Sequence, residues 1–353
     1  MFITSIGYYI PDGRITNSDI TEILVEDNKE HFSKEDIEFL TYSCTRKFEF
    51  LGIETRSCCS EENGDHFASM AEKAARKAID QAGIPPEEID CLIFSGVTNP
   101  FREPSFAIML AHRLGIKTGD FFDINDTCNG FMKSIDVAGL YLKSEKYRHI
   151  LVATCESPYD LKNTLKLDIH IENTDQIDNR LSGLIVGTGA AAMILSSDGG
   201  KGRITHYGEQ RTSNDWDASM LTLPGTAVPG AKYGDTITGF WSDGRLISSS
   251  LIREMPEFIL RKLSEWGLDA QSIDLFIHHQ LGNNVTFALM DKLNADHQKA
   301  PVNTFKQFGN MATVNIPVNL AIADEQGLIK KGDSILLLSS SCGLSYALLH
   351  IVW

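Results

Sequence analysis

The chemistry in this sequence begins at a cysteine. Residues 121–131 read FFDINDTCNGF, in which the short apolar run FFDI suits a strand. Beyond it Phe131, Ile135, Ala138 and Leu142 fall on one face of a helix. Cys128 therefore sits where a strand hands over to a helix N-terminus. Unpaired backbone N–H groups and the helix dipole at such a place favour a thiolate and lower a cysteine pKa. A thiolate can carry an acyl group, which splits one difficult transfer into two easier steps. A small buried hydrophobe is the other reading of the same residue.

Two later segments offer partners. Residues 277–284 read IHHQLGNN and place His278 and His279 at the end of an apolar strand. Ligands bind at the carboxyl ends of strands in α/β sheets, and adjacent strand residues point to opposite faces. Only one of the two histidines can face a given site, and a pair of satisfied structural histidines is the alternative. Residues 308–317 read FGNMATVNIP, with Asn310 after a glycine and ahead of an apolar helix. An asparagine there commonly caps a helix or makes a turn. Its amide N–H can equally donate to a developing oxyanion.

The elements that must position these residues alternate between strand and helix, which indicates an α/β fold. Residues 66–82 carry Phe67, Met70, Ala71, Ala74, Ala75, Ala78 and Ile79 at helical spacing, and Gly83 ends the run. Residues 91–97 (CLIFSGV) then read as a strand buried on both faces. The second half repeats this unit. QAGIPPEEIDCLIFS at 81–95 matches EWGLDAQSIDLFIHH at 265–279, shifted by 184 residues, and YRHILVAT matches KGDSILLLS, shifted by 185. Two matches at nearly one offset indicate an internal duplication. The Gly- and Ser-rich stretch SSDGGKG at 196–202 fits a junction, giving halves 1–197 and 198–353.

Bulk properties remove several function classes. The net charge of −15 argues against general nucleic-acid binding. Any acidic partner needs a local basic patch. Seven cysteines, at 44, 58, 59, 91, 128, 155 and 342, have no framework spacing and read as reduced thiols. Only His66 lies near the vicinal pair Cys58-Cys59, so no metal site is expected. No apolar run approaches the roughly 20 residues of a membrane span. The opening MFITSIGYYIPDG has no basic start or cleavage site, which places the protein in the cytosol by expectation.

Taken in order, the segments resemble the ketoacyl synthase III (3-oxoacyl-ACP synthase III) branch of the thiolase superfamily. The resemblance rests on Cys128 at a strand–helix junction, on His279-Gln280, and on Gly309-Asn310 followed by Ile316-Pro317. GTGAAAMIL at 187–195 is similar to the family's Gly-x-Gly-Ala-Ala strand, and KKGDSILLLSSSCGLSYALLHIVW to its closing strands. The resemblance implies two pseudo-symmetric halves in a five-layer αβαβα arrangement, in a homodimer. It implies acyl transfer from an acyl-CoA or acyl-carrier thioester to Cys128, then decarboxylative Claisen condensation with a malonyl thioester. His279 and Asn310 would stabilise the charge on the malonyl thioester carbonyl. Backbone N–H groups of Cys128 and of the Cys342-Gly343 loop would form the other oxyanion hole, with the Cys342 thiol incidental. Coenzyme A or phosphopantetheine thioesters are then substrates, and no resident cofactor is implied.

The chain departs from simple members of that family at several positions. Asn125-Asp126-Thr127 precede the nucleophile, Ser339-Ser340-Ser341-Cys342 replace a Gly-rich closing loop, and His278 stands where the family has proline. Residues 46–51 (RKFEFL) offer no match to its coenzyme A-gripping Trp and Arg, and Asn283-Asn284 replace a basic docking residue. These changes point to a specialised acyl substrate, in fatty acid or polyketide biosynthesis. Glu103, in Arg102-Glu103-Pro104, resembles the base of relatives that join two acyl-CoAs head to head without decarboxylation, where it reaches into the partner subunit's site. A solvated carboxylate paired with Arg102 is the other reading. Acyl transfer to an oxygen or nitrogen nucleophile, and a non-catalytic partner subunit, remain alternatives. Arg253, Arg261 and Lys262 could dock an acidic carrier or form a solvated helix face.

Overall fold

The computed structural model describes residues 1–158, 171–222, 228–232, 234 and 239–353. The chain opens with β1 (Phe2–Tyr9), and the pair β2 (Gly13–Thr16) and β3 (Thr55–Cys58) brackets helices α1 (Asn17–Asn28) and α2 (Lys34–Leu51). It continues through α3 (Phe67–Ala82), β4 (Cys91–Ser95), α4 (Phe106–Leu114), β5 (Asp120–Ile124), α5 (Gly130–Lys143) and β6 (His149–Glu156). Next come α6 (Ile177–Leu184), β7 (Gly189–Ser196), β8 (Gly202–Arg211), the short pair β9 (Ser219–Thr222) and β10 (Gly239–Ser242), and α7 (Gly244–Glu265). The chain closes with β11 (Leu275–His278), α8 (Asn283–Lys292), α9 (Phe305–Phe308), α10 (Asn315–Glu325), β12 (Ser334–Ser341) and β13 (Ser345–Val352).

Nine strands form one sheet in the order β11-β12-β13-β8-β1-β7-β6-β4-β5. Outward from its centre, where β1 and β8 pair antiparallel, the two sides repeat one pattern. β1 is followed by antiparallel β7, antiparallel β6 and parallel β4. β8 is followed by antiparallel β13, antiparallel β12 and parallel β11. The strands matched by sequence offset, β4 with β11 and β6 with β12, occupy equivalent places. β5 extends only the first side.

Alternation along the strands sorts the core into layers. Leu92, Phe94, Leu151 and Ala153 turn outward onto α3 and α4, whereas Cys91, Ile93, Ile150 and Val152 turn inward. On the second side Leu336 and Leu338 face α7 and α8, while Ile335 and Leu337 face inward. The inward cluster encloses Phe131, Met132 and Ile135 of α5 with Ile316, Leu320 and Ala323 of α10. Helices, sheet, buried helices, sheet and helices therefore stack in the expected five-layer arrangement. Strands covered on both faces explain the near-continuous apolar runs such as CLIFS and ILLL.

Element ends follow local chemistry. The helix read at 66–82 begins at Phe67, with His66 as its N-cap and left-handed Gly83 (φ 66°) closing it. Among the described residues, no helix is long and apolar enough to cross a membrane.

Candidate active site

Cys128 lies in the single helical turn Thr127–Asn129, between the end of β5 and the start of α5. Thr127 has φ 45°, a left-handed conformation that a β-branched residue adopts only when its surroundings hold it there. Three contacts do so. Asp126 takes a two-point ion pair from Arg211 of β8, with both N···O distances 2.6 Å. Thr127 Oγ1 bonds to Ser341 Oγ, and Asn129 Nδ2 donates to Ser345 Oγ at 2.9 Å. The turn that carries Cys128 is thus tied to the closing strands β12 and β13.

His279 follows β11, its N–H donating to Leu338 O of β12 at 2.8 Å. Nδ1 of its ring is 2.9 Å from Ser340 O, and Nε2 is 3.0 Å from Asn310 Oδ1. Each ring nitrogen therefore finds an acceptor when protonated. Burial lowers the pKa of His279, although the Asn310 and Ser340 contacts oppose that shift. His278 points to the other face and lines neither pocket described below. Burial pushes its pKa down to about 4. Gln280 is structural, its Oε1 accepting from Thr304 N at 2.9 Å and Phe305 N at 3.0 Å.

Asn310 is held by its backbone as firmly as by its side chain. Its N–H donates to Ile185 O at 2.7 Å, and its carbonyl accepts from Gly187 N at 2.9 Å. A Cβ on Gly187 would meet Phe308 O at 1.8 Å, which explains a glycine at that point of the GTGAAA segment. Asn310 Oδ1 accepts from Ala312 N–H at 2.9 Å as well as facing His279. With Oδ1 so occupied, the amide nitrogen keeps its donors for another acceptor.

Cys128, His279 and Asn310 line one pocket of about 700 Å³. Its walls include Leu181, Ile185, Phe240, Leu251 and Leu281, and Tyr42, Arg46, Lys47 and Phe50 of α2 reach it with Arg245. A narrower pocket of about 80 Å³ also reaches Cys128, among Val97, Val186, Leu221, Phe240 and Glu156.

Two features of the site escape sequence reasoning. Glu156, at the end of β6, is buried and accepts from Val97 N, Thr98 N, Thr98 Oγ1 and Thr313 Oγ1 at 2.7–3.0 Å. Burial raises its pKa against those donors. A lone carboxylate at the end of an otherwise apolar strand was the available signal. The second feature is Cys342, to which the sequence assigns only a backbone role. Its side chain lines both pockets beside Cys128 and interacts with the Cys128 thiol. This interaction, burial and the nearby Cys342 and Glu156 charges push the Cys128 thiol well up, against its own backbone N–H. Cys342, accepting from Cys128 and Ser219, is drawn down to about 7. The depressed Cys128 pKa expected from the helix terminus is therefore outweighed.

Glu103 is exposed on the segment between β4 and α4 and lines neither pocket. The cations considered for docking are already paired: Arg253 with Glu254, Arg261 and Lys262 with Glu265.

The model of the family described as 3-oxoacyl-[acyl-carrier-protein (ACP)] synthase III matches residues 122–210, and that of its C-terminal part matches 263–353. Together they span just over half of the chain, including Cys128, His279 and Asn310. The chain belongs to the 3-oxoacyl-ACP synthase III family. It is 28% identical to the beta-ketoacyl-[acyl-carrier-protein] synthase III of Listeria monocytogenes serotype 1/2a, over 99% of this chain and 98% of that one. The Aquifex aeolicus enzyme of the same name is also 28% identical, over 98% of this chain and 96% of that one. Its crystal structure matches with a TM-score of 0.79 at 26% identity, covering 100% of this chain and 99% of that one. Xanthomonas campestris OleA, as a cysteine-to-serine variant with bound lauric acid and lauroyl-CoA, shares the fold. Its TM-score is 0.83 at 23% identity, covering 100% of this chain and 98% of that one. The protein is accordingly a ketoacyl synthase III-like condensing enzyme, an acyltransferase by reaction class.

Proposed function

We propose that this synthase carries its acyl group on Cys128 and condenses it with a malonyl thioester activated by His279 and Asn310. The observation that carries the reading is the convergence of these three side chains on one pocket from different elements. Cys128 attacks the thioester carbonyl of the donor, and the carrier thiol leaves with the proton. The oxyanion of that step falls to backbone N–H groups of Cys128 and of the Cys342-Gly343 turn. The malonyl thioester then loses CO₂, and its enolate oxygen receives hydrogen bonds from His279 Nε2–H and the Asn310 amide. The enolate carbon attacks the acyl-Cys128 carbonyl, and the thiolate leaves with the new C–C bond formed.

Donor binding is read from the mouth of the wider pocket. Arg46 pairs with Glu49 at 2.9 Å, Lys47 with Asp178, and Arg245 with Asp178 at 3.2 Å. A phosphate of coenzyme A or phosphopantetheine arriving there takes over these cations from their carboxylates. In line with the family, we take the enzyme as a cytosolic homodimer, with 1–197 and 198–353 its duplicated halves, using acyl-CoA or carrier-bound substrates. Head-to-head condensation needs a base, and Glu103, exposed outside this subunit's pocket, would serve it only by reaching into the partner subunit's site; the decarboxylative reading is preferred on the family match.

The test is intact-protein mass after incubation with acyl-CoAs of several lengths, beside Cys128→Ala, followed by malonyl-CoA or malonyl-carrier. The expected result is an acyl-sized gain absent from the variant and discharged with CO₂ release. Discharge by a second acyl-CoA without CO₂ would replace the decarboxylative step with the head-to-head one.

A further inference from the structure

The pocket holds one thiol more than an acyl-carrying site requires. Cys342 lies in the turn between β12 and β13 and lines the same two pockets as Cys128. Neither is in a disulfide, both keep partial solvent access, and the other five cysteines are buried. Both line the wider and the narrower pocket, so a small solute can reach them. The two segments are tied together around the pair, by Thr127 to Ser341, by Ser341 Oγ to Asp126 O at 3.4 Å, and by Asn129 to Ser345. Joining the sulfurs links two turns that these bonds already hold side by side.

We propose that Cys128 and Cys342 form a reversible disulfide that silences the synthase when a peroxide enters the pocket. Cys342, the thiol drawn toward ionisation, attacks one peroxide oxygen; an S–O bond forms, the O–O bond breaks and hydroxide leaves. The Cys128 sulfur then attacks the sulfenic sulfur, the S–S bond forms, the S–O bond breaks, and a second hydroxide leaves. Two thiols give up two electrons and two protons, and the peroxide ends as two waters. A small dithiol reverses the change by exchange at either sulfur. Loss of activity rests on Cys128 being the acyl carrier; formation of the bond does not. An acyl group on Cys128 removes one partner, so a loaded enzyme is protected.

The test uses the full-length reduced enzyme exposed to graded hydrogen peroxide, quenched by alkylation and mapped without reduction. Acyl loading is measured in parallel, before and after dithiothreitol, relative to each protein's own reduced state. The expected result is a peptide pair linked through Cys128 and Cys342, loss of loading in step with it, and recovery of both on reduction. Prior acylation should block the link, and Cys342→Ser and Cys342→Ala should each abolish the reversible component. Oxidation of Cys128 with no link to Cys342, or a link formed only elsewhere, would overturn the proposal. A linked pair with loading unchanged would overturn the silencing step and Cys128 as carrier together, leaving the disulfide itself standing.

Discussion

Gly309→Ala separates the two half-reactions. Gly309 has φ 76° and ψ −169°, a region essentially restricted to glycine, where another residue costs about 1–3 kcal/mol. A Cβ there would also lie 2.7 Å from Ile185 O and 3.1 Å from Arg56 Cγ. Arg56 cannot give way easily, because it is fully buried with Nε donating to Leu184 O at 2.8 Å. Overpacking of this kind adds about 1–3 kcal/mol. The unfolding entropy of 353 residues is about 0.7 kcal/mol/K, so a loss of about 2–6 kcal/mol lowers Tm by roughly 3–8 °C. Ile185 O is also the acceptor of the Asn310 N–H, so the relieved clash moves Asn310. A displacement of about 1 Å costs on the order of 10²-fold in rate. Because loading relies on backbone donors elsewhere, the variant should acylate at near the parent rate and condense about a hundredfold slower. Intact-mass loading, malonyl-dependent product release and a thermal melt read the three effects. Equal slowing of both half-reactions, or an unchanged Tm, would refute the placement of Asn310 argued from this turn.

His279→Ala should spare loading and slow condensation by about 10²–10³-fold, as expected for removal of one oxyanion donor, measured by single-turnover discharge of acyl-enzyme. His278 is buried with its pKa near 4 rather than 6.5. The unfolded chain therefore binds more protons between those values, and stability present above pH 6.5 is lost as pH falls toward 4. His278→Gln should remove about 3 kcal/mol of that acid sensitivity, seen as a flatter urea midpoint across this window. Asp126→Asn breaks a half-exposed ion pair with Arg211, so Tm should fall by no more than about 1–2 °C. The loading rate should nevertheless drop, because the pair holds the strained turn at Thr127.

The layers were legible in the sequence because strands buried on both faces must be apolar along their length, and residues 91–95 and 335–338 are. The offsets of 184 and 185 residues, which pair β4 with β11 and β6 with β12, anticipated equivalent places in the sheet, since a repeated helix–strand unit folds back on its sheet in the same way. Burial and pairing around Glu156 were not legible, because its four donors come from segments far apart in the chain. The shared pocket of Cys128 and Cys342 is hidden for the same reason, the two residues being brought together only when β12 and β13 close against the turn that carries Cys128. Local signals also erred in sign. A helix terminus lowers a cysteine pKa by itself, yet a second thiol and a buried carboxylate reverse the balance at Cys128.

The site lies on the seam between the two sides of the sheet, which constrains how its parts depend on one another. The nucleophile turn belongs to the first side, and His279, Asn310 and the Cys342 turn to the second. Thr313 of the second side donates to Glu156 of the first at 2.7 Å, and Arg211 reaches across to Asp126. A change in either side therefore reaches the Cys128 sulfur through polar contacts rather than through the shared apolar core. The core sets the fold, while these few cross-seam bonds set the distance between Cys128 and the oxyanion donors proposed for His279 and Asn310. Substitutions at the seam should accordingly alter the ratio of loading to condensation, whereas cavities cut in the core around α5 and α10 should lower both through stability alone.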